Sequence, residues 1–412
     1  ALLPDIELLD EVVVTALGIT RDRKSLGSAV QDVNADELVK AASPNVISSL
    51  SGKIAGMQVN TAGQLGSSSR IVLRGNSSLG DNQPLIVIDG VPVSNSAIRQ
   101  NSVDYGSGLN DVNPQDIESV TVLKGGAAAA LYGMRAGHGV ILITTKSGKK
   151  AKGGITVNYD ANFNVDQVFA IQRMQNKYGQ GYYGDEYSYK FIAKADGFTG
   201  SYQDFAAGGY TDADDLTYGF SYKDGLGNGV NDAMDASWGP RLDIGLMIPQ
   251  YNSPLDANGN RIATPWVSNP TNVKDLYRLG ATTSHNISLT SVGDKATTRL
   301  SVGIREQKGV LPNTDLTRYN ANVNSLFKIH KMVEYDLVLN YSRTESGNLP
   351  LTEYNASNTM QSLGQWFGRQ VDMKDLKAHW QETMPNGYPY NWNSSYHNNP
   401  YWSLYKNTNS FN

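Results

Sequence analysis

The stretch NPQDIESVTVLKGGAAAALYGMRAGHGVILITTKSGK (residues 113–149) passes from a short apolar strand over 117–123 into a Gly-Ala helix, then a glycine-punctuated turn. A second strand over 140–145 follows, and a basic, glycine-rich exit ends the unit. Ahead of it the chain reads as a small mixed α/β unit. Behind it come long alternating strands. Few architectures join two such halves, and the remaining sequence narrows them.

With 412 residues the chain can bury two or three sizeable cores. Its net charge of −4 provides no basic field for nucleic acid, so no nucleic-acid partner is expected. There is no cysteine, which excludes internal disulfides, thiolate nucleophiles and cysteine-ligated zinc. The 41 Gly and 23 Tyr, with charged residues at only 18%, suit strands wet on one face and greasy on the other. No apolar run approaches the ~20 residues of a membrane-spanning helix. The longest, over 85–93, is broken by Asp89, Gly90 and Pro92.

Near the start, Asp10, Glu11, Val12, Val13, Val14 and Thr15 form an acidic pair followed by β-branched residues. Such a segment is either an ordinary edge strand or a tether that adds itself to a partner's sheet. Capping residues and Pro44 predict helices over 37–42 and 45–55. Strands are predicted over 57–60, 71–74 and 85–89, punctuated by Gly63, Gly66, Gly75 and Gly80, and Asn113-Pro114 opens a further short helix. The unit is α+β, with four or five strands. Lys124-Gly125-Gly126 lacks the spacing of a phosphate loop, and Gly137-His138-Gly139 lacks the third glycine of a dinucleotide fingerprint. The alanines over 127–130 are a small-residue helix packing closely on a sheet.

Six phrases now stand in one order: DEVVVTALGI, SLSGKIAGMQV, RIVLRG, NQPLIVIDGVPV, DIESVTVLKG and LYGMRAGHGVILITTK. Together they resemble the plug domain of TonB-dependent outer-membrane transporters, and more narrowly the SusC-like branch typical of Bacteroidetes. Met134 and His138 depart from it, standing where the family more often has Ser and Asn. The resemblance implies that residues 10–15 are the Ton box, the strand captured by the periplasmic protein TonB. It places an amino-terminal segment over 1–33, the plug over 34–150 and barrel strands from 151 to 412. The small carboxypeptidase-regulatory-like domain that usually precedes the Ton box is absent from this sequence.

The strands beyond 150 support a barrel on their own. Ile155, Val157, Tyr159, Ala161, Phe163 and Val165 alternate with Thr156, Asn158, Asp160, Asn162, Asn164 and Asp166. That length crosses a ~30 Å apolar layer when tilted. The pattern recurs over 284–291, 299–305, 319–327 and 333–341. Arg299 and Arg305 share one face, which must then look into a lumen, because a cation facing mid-bilayer lipid costs ~2–4 kcal/mol. Tight connections at 293–296 and 330–332 alternate with long loops at 169–283, 308–317 and 346–412, the asymmetry of an outer-membrane barrel. The expected fold is therefore an α+β plug domain followed by antiparallel transmembrane β-strands, with the long loops extracellular. Plug-holding barrels have about 22 strands. Five cannot close one, so a longer polypeptide is expected.

Asp212, Asp214, Asp215, Asp224, Asp232 and Asp235 could collect calcium, but no segment has the EF-hand spacing, and no metal site is assigned. Trp238-Gly239-Pro240-Arg241-Leu242-Asp243 resembles a recurring loop phrase of the SusC-like branch, expected to be structural. Tyr178, Tyr182, Tyr183, Tyr187 and Tyr189, with Trp366, Trp380, Trp392 and Trp402, suit sugar or peptide contacts, a membrane girdle or loop packing equally. His138, His285, His330, His379 and His397 show no metal-ligand spacing, and no catalytic set stands out. No cofactor or enzymatic activity is expected.

Family resemblance implies active import of a glycan or peptide oligomer. Its partners would be TonB, energised through ExbB/ExbD, a SusD-like surface lipoprotein and outer-membrane lipid. Two alternatives remain open. One is a siderophore or cobalamin receptor of the same superfamily; the other is a surface binding module outside transport.

Overall fold

A computed structural model describes residues 12–14, 20–22, 30–34, 46–61, 63–149, 151, 153–220, 232–330, 332–355, 357–384, 387–394 and 399–406. The helix expected over 37–42 lies outside the described residues. At the amino terminus β1 (Val12–Val14) pairs antiparallel with β2 (Thr20–Asp22).

The plug is built on a five-stranded mixed sheet. It holds β3 (Val30–Asn34), β6 (Leu85–Ile88), β7 (Val91–Val93), β10 (Ile117–Leu123) and β11 (Val140–Thr145), in the order β3-β10-β11-β6-β7. Since β3 pairs with β10 along its length, the sheet reaches ahead of residue 34. The strands expected over 57–60 and 71–74 form a separate hairpin, β4 (Met57–Thr61) with β5 (Ser69–Leu73), and a smaller hairpin joins β8 (Arg99–Gln100) to β9 (Val103–Asp104). The helix expected over 45–55 spans only Val46–Leu50, because Gly52 and Gly56 turn the chain with positive φ.

The apolar runs of β6 and β11 make sense as strands covered on both faces. Ile86, Ile141 and Ile143 join Ile47, Leu50 and Ile71 on one side. Val87, Val140 and Leu142 meet Ala128 and Ala136 on the other, beneath the Gly126–Tyr132 helix. Small residues allow that helix to sit close. Gly139 shows the same constraint: at φ +100° an added Cβ would lie 2.8 Å from Leu73 Cδ1 and 3.0 Å from the Leu123 carbonyl.

A second sheet forms the wall, in the order β12 (Gly154–Asp166), β17 (Gly280–Val292), β18 (Ala296–Lys308), β19 (Asp315–His330), β20 (Val333–Glu345). Register aligns the apolar positions in rows: Val157, Leu289, Leu300, Val323 and Leu339, then Tyr159, Ile287, Val302, Ala321 and Tyr341. Most of these side chains are exposed, Ile155 by 75% and Tyr159 by 63%. On the three inner strands the polar positions between them are buried, namely Asn286, Ser288, Thr290, Arg299, Ser301, Asn322 and Asn324, while on the edge strands Asn158 and Asn340 are exposed. A water-soluble sandwich would show the reverse. Charge enters the outer face toward one end of the strands: Glu306 and Glu345 share a row with Phe163 and Thr283, Arg343 stands one row further in beside Tyr319, and Lys308 and Asp315 close the ladder.

Strand bounds correct two expectations. The first long loop occupies 167–279 rather than 169–283, and the second 309–314 rather than 308–317. In both places the strand begins with residues polar or small on both faces, such as Thr282-Thr283, so alternation fades before the ladder does. Beyond the strands, the described residues of 167–279 and 346–406 fold together. Two short hairpins, β13 (Tyr210–Thr211) with β14 (Thr217–Tyr218) and β15 (Met247–Ile248) with β16 (Thr264–Pro265), and the helices Met373–His379 and Pro400–Lys406 frame a core. Trp266 and Trp392 are fully buried in it beside Phe220, Leu246, Phe367 and Leu404. Arg369 binds the two segments, donating to Asn176, Asn272 and the Pro270 carbonyl.

Depth along the outer face sets a test. In the full-length receptor refolded into lipid vesicles, Leu300→Arg should lose about 2–4 kcal/mol in urea titration, and Thr283→Arg at the rim about 0–1 kcal/mol. Equal losses at the two positions would contradict a lipid-facing wall.

Candidate functional site

The plug meets the wall along a polar seam centred on Asp116. Asn113 caps a single 3₁₀ turn, Pro114–Asp116, its Oδ1 accepting the Gln115 amide at 3.2 Å, while Pro114 fills the position that needs no N–H donor. This turn sets Asp116 at the foot of β10, where its Oδ1 lies 2.8 Å from Arg299 Nη2 on β18. The two side chains are only 6% and 5% exposed. Asn113 Nδ2 donates both to Asp116 Oδ2 at 2.9 Å and to Asn286 Oδ1 on β17 at 3.0 Å. Ser301 Oγ donates to the same Asn286 oxygen. Gly303 leaves room for this cluster, since an added Cβ would stand 2.8 Å from Asn286 Oδ1.

Further along, Asn320 Nδ2 donates to the Asp111 carbonyl at 2.9 Å. Asp89 accepts the Thr145 amide and hydroxyl, both at 2.8 Å, and faces Asn340 on β20. A cleft of about 450 Å³ opens there between plug and wall, lined by Asp89, Asp111, Asn322 and Asn340. Burial raises the Asp89 carboxyl above its ordinary value, with the Thr145 hydrogen bonds opposing. Burial raises Asp111 likewise, against the pull of Arg318. The seam around Asp116 is thus made of amides, carboxylates and one buried ion pair, groups that water can replace. Elsewhere Lys149 meets Asp336 at 3.2 Å, and Leu65, Val103 and Tyr105 of the plug share a small apolar cluster with Leu316, Leu349 and Leu351.

The other candidates from sequence fall elsewhere. Of the proposed Ton box, Val12, Val13 and Val14 form β1, and Asp10, Glu11 and Thr15 lie outside the described residues. Tyr183 and Tyr189 belong to an aromatic cluster with Phe198, Tyr202, Phe205 and Tyr218. Trp392 is core, and Trp380 stacks on Tyr405 at 4.9 Å. Loop packing therefore accounts for these rings, while Tyr182, Tyr187 and Trp238 stay exposed.

Asp212 Oδ1 accepts the amides of Asp214 and Leu216, and Asp256 Oδ1 those of Asn258 and Asn260, so both carboxylates close turns. Asp224 lies outside the described residues. His138 Nδ1 sits 3.1 Å from Ser77 Oγ, and Met134 is exposed. In the loop phrase, Arg241 grips Glu186 at 2.5 Å and Asp243 at 2.7 Å. Lys177, with Arg241 and Tyr178, holds the Glu186 carboxyl down to about 2. Sequence reasoning passed over Asp116 and Arg299 as partners, because nothing local links residues so far apart.

Residues 22–140 match the family described as TonB-dependent Receptor Plug Domain. The TonB-dependent receptor SusC of Bacteroides thetaiotaomicron is 31% identical over 333 residues, 79% of this chain and 26% of that protein. The chain belongs to the SusC-like TonB-dependent receptors. TonB-dependent receptor P39 of Formosa agariphila is 38% identical over 156 residues, 38% of this chain and 14% of that protein. Among solved structures, the RagAB peptide importer in its closed-closed state aligns with a TM-score of 0.56, covering 90% of this chain and 37% of that one. At 21% identity that likeness speaks for the fold alone. This receptor chain spans about a quarter or less of the length of these two curated relatives. TonB-dependent receptors are outer-membrane proteins. No described helix is long and apolar enough to cross a membrane, and the wall of this receptor is made of strands.

The ion pair makes a double-mutant prediction. In the full-length receptor, Asp116→Asn or Arg299→Met alone leaves a buried charge without its partner and should loosen the plug by about 3–5 kcal/mol. The double variant should recover most of that loss, measured by hydrogen exchange of the β10 amides. Additive losses would show that the two residues act independently.

Proposed function

We propose that this receptor actively imports a nutrient oligomer, glycan or peptide, across the outer membrane, with the plug as its gate. The observation that carries this is the inverted wall, apolar outside and polar inside, with the plug held against its inner face. The residues ahead of β3 would carry the tether, β3 through residue 150 the gate, and 151–412 the first part of the wall with its loops. In this orientation the tight turns at 293–295 and 331–332 face the periplasm, and the segments around 167–279 and 346–406 stand outside the cell.

Residues 10–15 serve as the Ton box. Their β-branched core is already extended in β1, the conformation that strand addition requires. TonB, energised through ExbB/ExbD, would capture this strand and transmit force into β3 and the plug sheet. A seam dominated by hydrogen bonds and ion pairs suits a gate, since water can satisfy those groups as it parts, and the small cluster of Val103, Leu316 and Leu349 is the part that resists. An apolar seam of equal area would resist opening throughout its travel.

A SusD-like lipoprotein would cover the extracellular cap. That cap has a core of its own and presents Tyr182, Tyr187 and Trp238 to solvent. Alignment with SusC continues past the plug over 333 residues, which favours this branch over a siderophore or cobalamin receptor. No catalytic role is assigned.

Removing residues 10–15 from the full-length receptor should abolish uptake in cells and leave cargo binding to the detergent-solubilised protein unchanged. Val13→Pro, which deletes one main-chain donor from the strand, should impair uptake in the same way. Undiminished uptake in the deletion would contradict the Ton-box assignment.

A further inference from the structure

On the inner face of the wall, Arg305 and Arg318 stand directly opposite each other across the β18–β19 ladder. Like charges in that position repel, and burial removes the water that would screen them. Arg318 is only 8% exposed. Its Nε donates to Thr344 Oγ1 at 3.1 Å, and no carboxylate among the described residues forms an ion pair with it. Arg299, on the same face of β18, is matched by Asp116. Arg318 is therefore a buried cation placed next to another cation, with a neutral hydroxyl as its hydrogen-bond partner.

The surroundings of Arg318 are shaped to admit something. It lines a pocket of about 280 Å³ between wall and plug, at the strand ends from which the long loops rise. Gln64, Ser67 and Asn110 face it from the plug, and Gln307 and Lys308 from the end of β18. Asp166 is the one carboxylate in the lining, and its field reaches Arg305. The plug's Asp111 is the carboxylate whose field reaches Arg318.

We propose that Arg318, with Arg305 beside it, is a carboxylate-recognition point for cargo entering this pocket. The proposal rests on the import reading and narrows its substrate class to oligomers bearing an acidic group. A guanidinium offers two parallel N–H donors that match the two oxygens of a carboxylate. An anion held there would also offset what repulsion between the two guanidiniums the fields of Asp166 and Asp111 leave. Gln64 and Gln307, whose amide nitrogens already donate to the Leu351 carbonyl and Thr282 Oγ1, offer their amide oxygens to hydroxyl or peptide N–H groups flanking the acid. Two cargo chemistries carry such a group, the terminal carboxylate of a peptide and the carboxylate of a uronic-acid sugar.

Titration calorimetry on the full-length receptor in detergent separates them with two matched pairs of probes. These are trialanine against its carboxamide, and trigalacturonate against its methyl ester. The acid should bind at least ~10-fold more tightly than its blocked twin in one pair, and that pair names the source. R318Q should erase the preference, and R318K, which keeps the charge but loses the fork, should retain part of it. Should R318Q fail to fold, R318K and the wild-type pairs carry the test. The proposal is overturned if neither acid is preferred up to ~10 mM, or if the preference survives in R318Q. The measurement needs neither TonB nor a proton gradient, so its failure would leave the import reading standing. Equally, uptake that ignored the Ton-box deletion would leave this result untouched.

Discussion

A buried ion pair between Asp116 and Arg299 joins the two halves of this chain. Each charge has been taken out of water, so each depends on the other being in place. Such a pair adds little net stability over a well-packed apolar contact, but it is strict about geometry. The 3₁₀ turn that aims Asp116, the Asn113 cap, the hydrogen bond to Asn286 and the space left by Gly303 all serve that geometry. It is also a contact that water can replace as the surfaces part. Both properties suit a plug that must seal at rest and yield under force.

The same logic explains why the wall is inside out relative to a soluble sheet. Asn, Ser and Thr on its inner face find partners in the plug and in one another, as when Ser301 and Asn113 share the Asn286 oxygen. Leu, Val, Ile and Tyr on its outer face are left for lipid. Plug and wall are each incomplete as a polar surface without the other. The segments around 167–279 and 346–406 solve a different problem, burying Trp266 and Trp392 in a core of their own and so capping the strands with folded structure.

Most of the architecture was legible in the sequence because it is written in short-range periodicity. Strict alternation over 155–166 marked the first wall strand to within one residue, and Arg299 with Arg305 marked the inner face. The double-sided burial of β6 and β11 showed as unbroken apolar runs. What escaped depends on distance. Alternation says nothing where both faces are polar, which is why β17 begins at Gly280, ahead of the expected 284. Nor does it say that residues 167–279 and 346–406 share a core, since their contacts are made by side chains far apart in the chain. Asp116 stood in the opening stretch as the residue after Pro114-Gln115, and Arg299 as a lumen marker. Only the register of β18 against the plug makes them partners.

The most direct test of a plug that must move is to prevent its movement. Residues 1–412 hold no cysteine, and the amides of Asn113 and Asn286 meet at 3.0 Å, so Cys at both positions can be joined by a short bis-methanethiosulfonate, with any cysteine elsewhere in the full-length receptor replaced. Import by cells carrying that receptor should stop on cross-linking and resume on reduction, with surface binding of cargo unchanged throughout. Import that continues through the cross-linked receptor would contradict a gate that opens by parting along this seam.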